Sequence, residues 1–265
     1  MQMKQWLYIL IFTLLFSACS DNNVKKYVIG VSQCSEDIWR DKLNNELVMS
    51  TYQHDNVTLK FASANDNDRL QKQQIEQFIK EGVNLLIVSP NQIHTISSVI
   101  DKAYDAGIPV ILFDRKTDSK KYTAFIGADN YEAGHEMGLF IAQQLGGKGS
   151  VVEIGGLKGS SPAIERDRGF TEALKAYPDI KIVGRYYTDW QEDRGAAVMD
   201  SILAQGQKVD YVFGQNDRIA AGARKLAMKR GEKAIRFVGI DALPVAGGGM
   251  EDVRDGRLVA SYIYP

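Results

Sequence analysis

The chain has 265 residues, of which 45% are hydrophobic and 25% charged; this is ordinary globular composition and excludes intrinsic disorder, collagen-like repeats and low-complexity arrays. A formal net charge of -1, from 32 basic and 33 acidic residues, leaves no basic field to attract nucleic acid or an anionic membrane. Two cysteines and three histidines exclude a disulfide framework, a four-sulfur zinc site and a histidine-rich metal centre.

The first elements in chain order are an address rather than structure. Lys4 supplies a positive start and Trp6 to Phe16 an apolar run. That run is shorter than the roughly 20 residues of a spanning helix. Phe16-Ser17-Ala18-Cys19 then sets small residues before a cysteine. The segment resembles a bacterial lipoprotein signal, which implies cleavage before Cys19, a lipid on its sulfur and an extracytoplasmic mature chain. An uncleaved anchor or a non-lipidated signal is the alternative. Asp21-Asn22-Asn23 and Lys25-Lys26 read as a polar tether.

From Tyr27 onward, short apolar runs alternate with amphipathic stretches. The pattern predicts a strand over 27–32, a helix over 38–50, a strand over 57–62, a helix over 70–81 closed by Gly82, and a strand over 85–88. A helix over 93–106 capped by Gly107 and strands over 109–113 and 124–128 follow. The alternation then restarts, with helices over 131–145, 163–176, 195–204 and 219–230, and a short one over 245–254 weakened at its start by Gly247, Gly248 and Gly249. The strands between them fall at 150–154, 180–187, 211–214, 236–240 and 258–264. Apolar strands separated by helices predict parallel sheets covered on both faces. The length divides into two α/β units, each a doubly wound parallel-sheet lobe. Ligands of such sheets sit beyond the carboxyl ends of the strands.

Those ends carry the chemistry. The first leads into Glu36-Asp37-Ile38-Trp39-Arg40, the third into Ser89-Pro90-Asn91-Gln92 and the fourth into Asp114-Arg115. Burying that last pair without partners costs several kcal/mol, so it is either a surface ion pair or a site. Asp129-Asn130 follows the fifth strand. In the second unit Asp189-Trp190, Gln215-Asn216 and Asp241 end strands, and Arg166 stands near a helix start. Two indoles, two arginines, carboxylates and amides suit a neutral, polyhydroxylated ligand. The apolar faces of a sugar ring stack on indole, and its hydroxyls need acceptors and donors together.

The ordered series Asp114-Arg115, Asp129-Asn130, Arg166-x-x-Gly169-Phe170, Gln215-Asn216-Asp217 and Gly239-Ile240-Asp241 resembles the type I periplasmic binding protein family, and its ribose-binding branch in particular. The resemblance implies that Asp114, Arg115, Asn130, Arg166, Asn216 and Asp241 hold a monosaccharide, with Trp39 and Trp190 sandwiching its ring. Ser89 stands where the family often has asparagine, and a family glutamine is replaced within Tyr262-Ile263-Tyr264. The fold and ligand class carry over; ribose itself does not. The run Gln33-Cys34-Ser35-Glu36-Asp37-x-Trp39-Arg40 also resembles sensor domains of hybrid two-component systems in Bacteroides-type bacteria, which points toward fructose or a related sugar. The implied partners are a membrane permease or a sensor kinase, with a lipid anchor through Cys19. No cofactor and no catalytic activity are expected; a sugar-processing enzyme, a hydrolase or isomerase on this scaffold, is the remote alternative.

Other motifs carry less. Gly155-Gly156-Leu157-Lys158-Gly159-Ser160 matches no phosphate-loop pattern and reads as a turn. Cys34 has no histidine in readable relation and reads as a packed thiol. Lac-repressor-like factors share the binding fold but begin with a helix-turn-helix, so nucleic acid is not an expected partner. The expected organisation is a signal peptide over 1–18, a lipidated tether over 19–25, lobes over 26–128 and 129–262, and the start of a return crossover over 263–265. By the same resemblance, further first-lobe elements are expected beyond Pro265. Without them the first lobe has an uncovered edge, and the chain is expected to be less stable and prone to aggregate.

Overall fold

A computed structural model describes residues 24–264. The expected signal, the tether's Cys19 and Pro265 lie outside the described residues. Two five-stranded, fully parallel sheets organise the rest. The first contains β1 (Tyr27–Gln33), β2 (Val57–Ser63), β3 (Leu85–Val88), β4 (Val110–Phe113) and β5 (Ala124–Ile126), in the spatial order β2-β1-β3-β4-β5. Its helices are α1 (Ile38–Ser50), α2 (Asp68–Glu81) and α3 (Ser97–Asp105). The second contains β6 (Lys148–Gly155), β7 (Asp179–Tyr187), β8 (Tyr211–Gly214), β9 (Arg236–Asp241) and β10 (Ala260–Ile263), ordered β10-β9-β8-β6-β7. Its helices are α4 (Asn130–Gln144), α5 (Ser161–Leu174), α6 (Glu192–Ala204), α7 (Asp217–Lys229) and α8 (Gly249–Arg254). Strand order reverses at β1/β3 and at β6/β8, and each reversal opens a crevice at the carboxyl edge.

The element boundaries follow from local chemistry. The Asn67 side chain accepts from Leu70 N at 3.0 Å, so α2 begins before its first apolar residue. Gly82, at φ 65°, closes it in the left-handed region. The helix expected from Ile93 starts only at Ser97, because residues 93–96 form turns and Ile93 N donates instead to Gly159 O at 3.2 Å. The helix expected from Val245 shrinks to α8, after Gly247 turns at φ 73°. Conversely, α6 starts at Glu192 rather than Gly195, with Glu192 and Asp193 favourably placed in its first turn.

The second sheet is buried on both faces. Phe170, Phe213, Met137 and Ile141 pack on one side, and Val152, Phe237, Met199 and Ile219 on the other. The first sheet departs from the two-sided expectation. Ile75, Phe78, Val99 and Ile100 of α2 and α3 fill one face against Leu86 and Leu112. The strands β3 and β4 alternate between buried and half-buried positions. Only Arg40 of α1 is buried, and Val48, Met49 and Tyr52 are exposed.

Helices α4 and α5 approach closely enough that only glycine fits at two positions. A Cβ on Gly134 would lie 2.1 Å from Arg166 O, and one on Gly169 2.0 Å from Tyr131 O. The contact fixes the backbone that carries Arg166. Gly134→Ala is therefore expected to lower stability by about 1–3 kcal/mol, as overpacking of a tight contact does. Urea unfolding monitored by circular dichroism measures the difference.

Candidate functional site

The carboxyl ends of both sheets face one cleft, open to solvent, with about 540 Å³ of empty space, solvent included, between its walls. Its wall includes Trp39, Asp114 and Arg115 from the first lobe and Arg166, Trp190, Asn216 and Asp241 from the second. Seven of the nine residues expected at the ligand are thus brought together. Asn130 and Ser89 are not on the wall. Asn130 stands behind it: its Oδ1 accepts from Arg166 Nε at 2.8 Å and its Nδ2 donates to Tyr264 Oη at 3.2 Å. Ser89 is buried beneath β1 and α2, where its carbonyl accepts from Gln71 Nε2 at 2.9 Å.

Among the wall residues not expected there, Arg40 and Tyr264 contact Asp114 directly. Arg40 Nη2 donates to Asp114 Oδ2 at 2.6 Å, and Tyr264 Oη donates to Asp114 Oδ1 at 2.8 Å. Local structure places both. Arg40 follows Trp39 in the first turn of α1, whose N-cap Asp37 accepts from Arg40 N at 2.9 Å. Tyr264 shares the period-two face of Tyr262 and Ala260, both of which pack on the second lobe's core.

Burial alone would raise the Asp114 carboxyl, but Arg40 and Arg115 hold it below the usual carboxylate range, with hydrogen bonds from Arg40 and Tyr264 adding to their charges. Burial works against the Arg40 guanidinium; Cys34, Asp114 and Asp37 outweigh it and raise its pKa. Asp241 behaves oppositely. Burial pushes its carboxyl well above the ordinary value against the pull of Arg166, and Asp217, Asp37 and Asp114 push it further. One wall therefore presents a fixed acceptor, Asp114, and the other an acid biased toward its neutral, donating form.

The aromatic groups frame the same space. The Trp39 indole lies 4.7 Å from the Arg40 guanidinium carbon and 6.1 Å from the Tyr264 ring. Trp190 lies flat over Gly156, where a Cβ would come within 2.2 Å of the indole. Arg115 and Arg166 stand 5.5 and 5.6 Å from its ring centre. Asn216 caps α7 by accepting from Ile219 N at 2.8 Å and also lines the cavity. Four wall donors are buried without a partner: Arg40 Nε and Nη1, Arg115 Nε and Trp190 Nε1. Such donors call for ligand oxygens. Among the described residues, no group of three or more His, Cys, Asp or Glu is placed to hold a metal ion.

The lobes also touch outside the cavity. Lys116 N donates to Ser161 Oγ at 2.7 Å, and Lys116 Nζ pairs with Glu165 at 2.9 Å. Tyr264→Phe leaves Asp114 Oδ1 and Asn130 Nδ2 each short of a buried partner, so it is expected to cost about 1–3 kcal/mol of unfolding free energy. Guanidinium denaturation of the two proteins at one pH measures it.

Comparison with known proteins adds a family to this geometry. The model of the periplasmic binding protein domain matches residues 29–261. The galactofuranose-binding protein YtfQ of Escherichia coli is 32% identical over 245 residues, covering 88% of this chain and 76% of that protein. The xylitol-binding protein of Mycolicibacterium smegmatis is 29% identical over 215 residues, and the chain spans 61% of its length. Among solved structures, the fructose-binding periplasmic domain of a hybrid two-component system superposes with a TM-score of 0.88 at 46% identity, covering 90% of this chain and 80% of that one.

Proposed function

The chain belongs to the periplasmic binding protein family, and on that premise we propose that it is an extracytoplasmic receptor that binds a monosaccharide between its lobes without transforming it. One observation carries the reading: a fixed carboxylate, arginines and an indole whose buried N–H groups lack partners, and a second indole, drawn from opposite lobes, line one cleft. Trp39 and Trp190 stack on the ring faces. Asp114 accepts from hydroxyls, and Arg115 and Arg166 donate to hydroxyl oxygens. Asn216 and Asp241 complete the edge of the second lobe, Asn130 holds Arg166, and Ser89 supports the floor of the first lobe. A ligand touching both walls favours the joined arrangement by its differential affinity for it. The lobes hinge at the connections near Ala128 and Tyr262.

Fructose is the first sugar to test, because the solved domain with 46% identity is described as fructose-binding. That neighbour favours a sensing output, in which the bound state is reported to a kinase. Delivery to an ABC-type permease is the other output, as in the ribose import binding protein of Escherichia coli, of which the chain spans 62%. Labelled-sugar uptake by cells lacking the gene separates the two: uptake is lost with import and retained with sensing.

Calorimetric titration against fructose, ribose, galactose and arabinose is expected to give one site with micromolar or tighter affinity for at least one sugar. Asp114→Ala should weaken that sugar by at least about tenfold, since it leaves Arg40 and the ligand hydroxyl unpaired in a buried site. Absence of binding across the panel, or an unchanged affinity in Asp114→Ala, overturns the reading.

Anchoring follows from the signal-like start. Cys19 carries lipid and tethers the receptor to a membrane of the envelope. Labelling with a palmitate analogue is expected to mark the wild-type protein and to fail with Cys19→Ser, which should shift it to the soluble fraction.

A further inference from the structure

Behind the second lobe's wall lies a buried polar cluster that the ligand-facing residues do not include. Glu153, on β6, is 2% exposed. Its Oε1 accepts from Gln215 Nε2 at 2.8 Å, and its Oε2 accepts from Arg185 Nε at 3.2 Å. Arg185 Nε also donates to Asp167 Oδ1 at 2.8 Å, and its Nη2 to Thr171 Oγ1 at 2.6 Å. Asp167 is the residue after Arg166 on α5.

Gln215 connects this cluster to the cavity at three points. Its backbone carbonyl accepts from Arg166 Nη1. Its Oε1 accepts at 3.1 Å from the N–H of Gly156, the residue on which the Trp190 indole lies. Its Nε2 donates at 3.1 Å to Ala163 O, in the first turn of α5. One residue therefore touches the platform of Trp190 and the start of the Arg166 helix through its side-chain amide, and Arg166 itself through its backbone carbonyl.

We propose that Gln215 is a positioning residue, and that the proton on Glu153 sets, through Gln215 and Asp167, where Arg166 and Trp190 stand in the cavity. The ligand readout of this proposal rests on the sugar-binding reading; its structural readout does not.

With its proton, Glu153 lies within reach to donate to Asp167 while its other oxygen still accepts from Gln215. Burial pushes this carboxyl up to about 8, and Asp167 pushes in the same direction by charge and by that hydrogen bond; Gln215 and Arg185 pull against them. The groups facing it are Asp167 on α5, Arg185 and Tyr187 on β7, and Gln215 after β8. When the proton leaves to solvent, two carboxylates share Arg185 and repel. Asp167 moves outward and takes the α5 turn of Arg166 with it. The new charge draws Gln215 Nε2 away from Ala163 O, and the support of Gly156 shifts with it.

The linkage has a definite sign. A carboxyl raised from 4.5 to about 8 stabilises the fold below pH 4.5, and that contribution is lost as pH rises through 8. Sugar affinity should fall over the upper part of the same window. Glu153→Gln keeps the shape and, through its carbonyl, the bond from Gln215; its amide N–H can donate toward Asp167 but no longer accepts from Arg185, and it cannot titrate.

The experiment follows the indole ¹H–¹⁵N resonance of Trp190 and the ¹³C carboxyl resonance of Glu153 from about pH 6.5 to pH 9 in the ligand-free protein. The expected result is a shared midpoint near 8 in wild type, and a Trp190 resonance that no longer moves with pH in Glu153→Gln. Fructose affinity by calorimetry is expected to weaken roughly three- to tenfold across that range in wild type and to stay flat in the variant. A Trp190 resonance that does not titrate in wild type, or one whose midpoint differs from that of the Glu153 carboxyl, overturns the proposal without needing the variant to fold. A Trp190 resonance that titrates equally in Glu153→Gln also overturns it. If the resonances titrate together but no monosaccharide binds, the Gln215 linkage stands and the sugar-binding reading falls.

Discussion

Asp114 is a buried carboxylate that both lobes have to satisfy. Taking such a charge out of water costs several kcal/mol, and it is tolerated only with close, well-aligned partners. Arg40 meets one oxygen from the first lobe, and Tyr264, at the end of the second lobe's last strand, meets the other. Tyr264 in turn accepts from Asn130, and Asn130 accepts from Arg166. The cavity wall is thus one connected chain of polar contacts running from α1 through β4 and β10 to α5. If either lobe moves, Asp114 loses a partner, so lobe arrangement and cavity electrostatics are the same variable.

The backbone around the cavity stores strain that this network has to hold. Asp114 sits at φ 64°, Asp189 at 51°, Trp190 at 67° and Asp241 at 121°. Non-glycine residues in such regions cost of order 1–3 kcal/mol each, and they persist where the surroundings over-determine them. Asp114, Asp189 and Trp190 follow strands and Asp241 ends one, where the chain turns sharply and aims a side chain across the carboxyl edge. A glycine would relieve the strain and remove the side chain that the turn exists to present. At Gly156 the trade runs the other way, because the indole of Trp190 needs the space that a Cβ would occupy.

How much of this was legible before the structure depends on where each signal lived. Strand runs such as Tyr211–Gly214 and polar residues at their carboxyl ends are local patterns. The two parallel-sheet lobes, and the gathering of Asp114, Arg115, Arg166, Trp190, Asn216 and Asp241, followed from them. Arg40 and Tyr264 were hidden because their importance is a pairing across 74 and 150 residues of chain with Asp114. No periodicity carries that information. Asn130 was found as a site residue but holds Arg166 from behind, a distinction of a few ångströms that motif order cannot encode. The thin cover over one face of the first sheet was equally invisible, since apolar strands look alike whether one face or two is packed.

The donors of the cavity outnumber its free acceptors, and this bears on how such a wall discriminates. Arg40, Arg115 and Trp190 offer unpaired N–H groups, while Asp114 already accepts from two neighbours and Asp241 is pushed toward its neutral form. The scarce resource is the remaining lone pairs of Asp114, so a ligand bound as proposed is sorted by which of its groups can donate there while its other oxygens accept from the arginines. A hydroxyl does both, and inverting one carbon moves it out of reach of one partner. The penalty is that of an unmet buried group, on the order of 1–3 kcal/mol. On the proposed reading, discrimination between sugars differing at a single centre needs no extra residue, only the spacing of Asp114 and Arg166 in the joined arrangement, which the glycine-packed α4–α5 pair and the Tyr264–Asn130 link set.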